Sequence, residues 1–274
     1  MRVFSLVAVI FYALSALNFG LARSGGSARW MRVGLTALVV GVAFHGIDLV
    51  VGSLRAGNLP VGNFPEAISF LAWLTALAGL VLIARFRFAV VGAFTASAAF
   101  VALGIAAMLM RRGKLVLPVA LRSGWLPIHV TLAFLGYSLF LLAAGVSALY
   151  LVYESRLKGK HPFPVGGPPT PSLERLDFIN YRLLGWGFLM LSLAIVSGSI
   201  WADATWGHFW SWEPQESWSL VTWLLYAALL ESRLTVGWRG RRAAALTLVV
   251  FTVLLGSFVG VSLFHPGKHG GSFD

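Results

Sequence analysis

Eight long apolar runs decide what this chain can fold into. Their limits, read from hydropathy, are 3–21, 33–53, 64–84, 88–110, 127–153, 182–202, 216–232 and 243–264. A helix of about 20 apolar residues crosses the roughly 30 Å hydrocarbon core of a bilayer. Within lipid every backbone N–H and C=O needs an internal partner, and a helix supplies one for each. The expected fold class is therefore all-α. It is a polytopic membrane helix bundle of about eight transmembrane helices, a single transmembrane domain over 1–274. The composition leaves little alternative: 58% of the residues are hydrophobic and 11% charged, against roughly 25% charged in soluble domains. The seventh run is the shortest and most aromatic, and the fifth is long enough to tilt or to extend beyond the hydrocarbon.

The formal net charge of +11 does not point to nucleic acid, because the cations sit between apolar runs and form no single patch. Their distribution is topological. Fourteen of the 21 Lys and Arg residues fall on one set of loops: 22–32, 85–87, 154–182 and 233–242. By the positive-inside rule that set is cytoplasmic, which leaves both termini external. The external 111–122 loop, with four cations, runs against this trend. The apolar N-terminus lacks a small-residue cleavage site and reads as a retained helix. The chain contains no cysteine, so it holds no internal disulfide, thiolate metal site or thiol relay. Seven Pro and Gly residues between Pro162 and Pro171 mark 154–181 as a flexible cytoplasmic loop. Leu173 to Asp177 is a candidate interfacial helix feeding the sixth span.

The most informative stretch is the external loop 201–223, which carries six of the 11 tryptophans: Trp201, Trp206, Trp210, Trp212, Trp218 and Trp223. An interfacial aromatic belt accounts for one or two Trp per helix end. It does not account for six beside Asp203, His208, Glu213 and Glu216, with no Lys or Arg among them. Such a surface suits a large planar apolar ligand, because indoles stack on flat rings and their N–H groups meet carboxylates or carbonyls. Haem is the natural candidate, and without cysteine imidazole is the strong iron ligand on offer. His129, at the start of the fifth span, and His269, after the eighth, lie on the same external side. Together they could give bis-imidazole ligation. His265 competes with His269 for the second position.

At this point the residues carry a family resemblance. Trp206-Gly-His-Phe-Trp210-Ser-Trp212-Glu213-Pro-Gln-Glu216-Ser-Trp218 resembles the tryptophan-rich WWD motif of the CcsA family, also called ResC, of system II cytochrome c biogenesis. Asn63-Phe-Pro-Glu66-Ala-Ile-Ser-Phe70-Leu-Ala-Trp73 is similar to the family's upstream external segment. Trp125-Leu-Pro-Ile-His129 and Gly267-Lys-His269 resemble the two segments that carry its external haem-ligand histidines. The four motifs occur in the family's order from about residue 54 to the C-terminus.

The resemblance implies the haem-binding membrane subunit of a cytochrome c synthase (a haem ligase) in the bacterial cytoplasmic (inner) membrane. Haem b would be held at the external, periplasmic face by His129 and His269 as axial iron ligands. Trp206, Trp210, Trp212, Glu213, Trp218 and Glu66 would complete the cofactor site. The implied partners are a CcsB/ResB-like membrane protein, apocytochrome c and the lipid bilayer, and no nucleic acid. The CxxCH thiols of the apocytochrome would add to the haem vinyl groups. The alternatives are a CcmC-like protein that hands haem to a chaperone and a non-haem transporter. The continuation Pro214-Gln-Glu216-Ser-Trp218 favours CcsA over the former. The scarcity of mid-bilayer charges counts against the latter.

Two positions depart from the family pattern. Glu213 replaces an aspartate and keeps the carboxylate. Glu231 stands where the family usually has the histidine proposed to receive haem in transit through the membrane. Carboxylate is the weaker iron ligand, so the resemblance carries over binding at the outer face and not that route. Glu231 could instead pair with Arg233. His45 and Asp48, spaced by three on the second span, share a helix face and form either a structural pair or a second ligand or proton site. Asp203, Glu213 and Glu216 are candidate caps for the seventh span, as Glu66 is for the third.

Overall fold

A computed structural model describes residues 3–25, 27–57, 59–109, 123–159 and 171–264. Among the described residues there are eight helices: α1 (Val3–Gly25), α2 (Ala28–Ala56), α3 (Phe64–Phe86), α4 (Ala89–Leu109), α5 (Trp125–Lys158), α6 (Leu173–Trp206), α7 (Pro214–Leu234) and α8 (Arg241–Phe264). Seven are long and apolar enough to cross a membrane. The exception is α7, whose Glu, Gln and Ser residues dilute a run of adequate length.

Local chemistry sets the ends. Asn63 caps α3 by accepting from Glu66 N–H at 2.9 Å, while the Glu66 carboxylate accepts from Gly62 N–H at 3.1 Å. This is a close relative of the capping box. Ser172 caps α6 through Arg175 N–H. At the other end of α6, Gly207 takes the left-handed conformation and returns its N–H to Asp203 O at 2.8 Å, a turn that glycine closes without steric cost. The two 34-residue helices α5 and α6 are each about 51 Å long at 1.5 Å per residue. They therefore project well beyond the hydrocarbon, and each absorbs part of what the sequence suggested as loop. Within 154–181 helix continues to Lys158 and resumes at Leu173, with 160–170 outside the described residues. Within 201–223 the non-helical part is 207–213 alone.

The helices wear their apolar residues on the outside as well as within. On α1, Leu6, Ile10, Leu14, Leu17 and Leu21 are exposed, while Ala8, Tyr12, Ser15 and Phe19 are buried. An exposed leucine–isoleucine stripe at helical spacing is the face a lipid-embedded helix turns to the acyl chains. Neighbouring helices pair in sequence, α1 with α2, α3 with α4 and α5 with α6. Packing of α3 on α5 joins the first four helices to the last four. At the centre of the second group Phe140 and Tyr226 stack with ring centroids 3.6 Å apart and planes 4° from parallel.

Two polar networks replace pairings the sequence suggested. His45 does not simply pair with Asp48. Its Nδ1 is 3.1 Å from Tyr12 Oη and its Nε2 is 3.0 Å from Ser69 Oγ, while Ser5 Oγ donates to Asp48 at 2.7 Å. Arg233 pairs with Asp177 on α6 at 2.7 Å, and Glu231 is exposed. The reason is helical phase: Glu231 and Arg233 are two residues apart and cannot share a face. The other Asp177 oxygen accepts from Gly240 N–H at 2.9 Å. Asn180 adds a bond to Ser147 on α5 at 2.7 Å, so one buried cluster ties α5, α6, α7 and the start of α8 together.

Candidate functional site

Five helix ends meet at one end of the bundle: the starts of α3, α5 and α7 and the ends of α6 and α8. A cavity opens between them, with Phe64 and Ala67, His129 and Tyr137, Trp201, Trp210, Glu216 and Phe258 among its walls.

His129 lies in the first turns of α5, two residues beyond Pro127, a residue the start of a helix accommodates because it lacks an N–H. The imidazole Nδ1 is 2.7 Å from Ala194 O on α6. A carbonyl only accepts, so Nδ1 carries the hydrogen and the ring's lone pair is on Nε2. The ring plane is fixed as well. Trp201, fully buried, stacks on it with centroids 6.1 Å apart and planes 16° from parallel. On the same helix Gly198 lets the ring rest on the α6 backbone, where a Cβ would stand 2.6 Å from Cε1 and 2.7 Å from Nδ1. An Nδ1–H bond to a backbone carbonyl is how metal-binding histidines are held in one tautomer with Nε2 presented.

The tryptophans extend outward from this histidine. Trp201 meets Trp206 at 4.9 Å, Trp206 stacks on His208 at 6.5 Å, and Trp210 meets Trp212 edge-on at 5.7 Å. The turn that carries them is latched by Glu216. Its carboxylate accepts from Ser211 N–H at 2.7 Å and from Ser211 Oγ at 3.2 Å. Trp212, at φ 60°, is in the left-handed region that a bulky residue enters at a cost of about 1–3 kcal/mol. Its side chain is 70% exposed. Trp210 Nε1 is buried with no hydrogen-bond partner among the described residues. A buried indole N–H in a cavity wall is a donor placed for an acceptor that arrives with a ligand.

Of the residues singled out from sequence, His129 and Trp210 stand in the cavity wall. Trp206 backs Trp201 from outside it. Trp212 and Trp218 are exposed beside it. Glu213 occupies the N-cap position of α7 without a side-chain cap bond, and Glu66 closes the capping turn of α3 by accepting from Gly62 N–H. His269 and His265 lie outside the described residues. Sequence reasoning weighed Glu216 as a cap and missed that it also borders the cavity. It missed Gly198, although Ser197-Gly198-Ser199 inside an apolar span is the small-residue signal of close approach between helices. Tyr137 and Phe258 were hidden among equivalent core aromatics.

These residues fit haem on the grounds of their own chemistry: a tautomer-fixed imidazole, a donor lacking an acceptor, and aromatic walls. Comparison with known proteins points the same way. Residues 61–269 match the family described as Cytochrome C assembly protein. The chain is 33% identical over 265 residues to the cytochrome c biogenesis protein CcsA of Synechococcus sp. (strain CC9605), covering 87% of this chain and 86% of that one. It is 31% identical over 243 residues to the protein of the same description from Guillardia theta, covering 81% and 80%. Among solved structures it shares the fold of the cytochrome c haem lyase CcmF, with a TM-score of 0.64 at 18% identity. That match covers 98% of this chain and 47% of that one, so the chain spans about half of CcmF. The family match and the length of these alignments together make this multi-pass membrane protein a member of the cytochrome c assembly family.

Proposed function

We propose that this chain is the haem-presenting membrane subunit of cytochrome c maturation, holding haem b for thioether attachment to the CxxCH motif of apocytochrome c. The observation that carries the reading is the His129 imidazole. It is pinned through Nδ1 to Ala194 O at 2.7 Å at the edge of an aromatic cavity. His129 and His269 are the residues that would hold the haem iron. The chain leaves α8 at Phe264, at the end of the bundle where the cavity lies. The five residues from there to His269 can span up to roughly 17 Å.

The protein's contribution is placement. Trp201 and Gly198 set the plane of the imidazole, and the Ala194 carbonyl sets its tautomer. Trp210 Nε1 would donate to a haem propionate. The exposed Trp212, Trp218 and Phe209 offer an aromatic apron on which an incoming polypeptide can lie. Bound haem supplies the vinyl groups that accept the thiols. Holding both reactants in one geometry is the rate gain such a site provides. This end of the bundle lies on the external, periplasmic face of the bacterial inner membrane in this reading, which the Lys and Arg distribution supports. A CcsB/ResB-like partner presents the apocytochrome. The names of the relatives support this reading over a CcmC-like carrier.

The test is maturation of a c-type cytochrome reporter in bacteria lacking their own assembly system, with this chain and a CcsB/ResB-type partner co-expressed. Covalent haem on the reporter, lost in His129→Ala at equal membrane level, is the expected result. Equal maturation by His129→Ala refutes the assignment.

A further inference from the structure

At the opposite end of the bundle from the His129 cavity, a groove runs between α3, α5 and α6. Its floor is apolar, with Val81, Leu82, Leu139, Ile179, Leu183 and Trp186 among its residues. Its mouth is basic, carrying Arg85, Arg175 and Arg182 with a single carboxylate, Glu174. None of the three guanidiniums forms an ion pair among the described residues, although Arg233 and Arg241 both do. They stand over aromatic faces instead. Arg85 and Arg175 lie 5.6 Å and 5.3 Å from the centroid of the same ring, Phe86, and Arg182 lies 5.8 Å from that of Phe178. Cation–π contact holds the guanidiniums in place and leaves their charge uncompensated. An anion at the mouth would supply the counter-charge that Glu174 alone does not.

We propose that this groove is a binding site for an anionic phospholipid, its phosphate held by Arg85, Arg175 and Arg182 and its acyl chain lying along α6. The dimensions agree. From Arg175 to Met190, which borders the groove's far end, α6 rises about 22 Å. One leaflet, headgroup included, is half of the roughly 40–45 Å bilayer. The charge balance agrees too, since a basic pocket between membrane helices selects acidic headgroups over zwitterionic ones. A soluble anion would satisfy the guanidiniums and leave the floor bare. A neutral lipid would cover the floor and leave the three cations without a counter-charge. An anionic lipid meets both. This assignment is independent of haem binding at His129.

The experiment is native mass spectrometry of the full-length protein released from detergent after equilibration with equal amounts of phosphatidylglycerol and phosphatidylcholine of identical acyl chains. Wild type should retain the anionic lipid several-fold over the zwitterionic one. The ratio should fall to about one in the Arg85→Gln/Arg175→Gln/Arg182→Gln variant and hold or rise in Glu174→Gln. His129→Ala should leave it unchanged. The Glu174→Gln arm keeps the proposal falsifiable should the triple variant be poorly folded. Equal retention of both lipids by wild type, or an unchanged ratio in the triple variant, overturns the proposal. So does displacement of phosphatidylglycerol from this groove by added haem, which would give the site to a dicarboxylate macrocycle instead.

Discussion

Gly198→Ala should damage haem binding without touching any ligand. The new Cβ would lie 2.6 Å from His129 Cε1, where ordinary carbon contacts begin near 3.4 Å. The ring or the helix must therefore give by about 0.8 Å. Moving the ring strains the Nδ1–H bond to Ala194 O, a bond that contributes about 0.5–1.5 kcal/mol. Overpacking adds a cost of about 1–3 kcal/mol. Alanine returns up to about 1 kcal/mol of helix propensity, so the net effect is destabilising. Disturbing the partner that orients a metal-binding histidine typically weakens metal affinity 10–100-fold, and that is the predicted loss in haem affinity. The assay is spectrophotometric haem titration of the purified protein. Gly185→Ala is the matched control, because on the same helix a Cβ at Gly185 meets nothing within 4 Å. Equal haem affinity in the two variants would refute the claim that close approach of α6 positions the imidazole.

Asp177→Ala should destabilise the protein by about 3–5 kcal/mol by stranding the Arg233 guanidinium in the core, read as a fall in the thermal midpoint in detergent. Asp177→Ala/Arg233→Met should recover much of that loss. Tyr226→Phe should leave the midpoint unchanged or raise it, because the buried hydroxyl has no hydrogen-bond partner among the described residues and its desolvation is uncompensated; a fall of several degrees would show an unseen partner. Glu216→Ala removes the latch on Ser211 and should cost about 1 kcal/mol, with faster amide exchange confined to 207–213 by hydrogen-exchange mass spectrometry.

Much of this architecture is legible in the sequence, because lipid enforces it. An apolar run of 20 residues has one low-energy answer, so the eight helices fall close to the limits read from hydropathy. Helix ends were harder. The polar termini of α5 and α6 look like loop by composition, yet helix runs into them, in α6 out to caps at Ser172 and Gly207. His129 could be chosen as a candidate ligand from its motif, but the devices that aim it could not. Ala194 acts through its backbone carbonyl and Gly198 through a missing Cβ, and neither leaves a chemical signature in the sequence. Pairings also resist reading by proximity. Arg233 reaches Asp177, 56 positions away, because both point into the α6–α7 seam while Glu231 points out of it.

The most direct test of the central claim is the reduced and oxidised visible spectrum of the purified protein, beside His129→Ala and His269→Ala. A low-spin b-type spectrum in the wild type, lost or turned high-spin in each variant, is the predicted result. Wild-type protein that takes up no haem when haem is supplied, or variants whose spectra match it, would contradict the account.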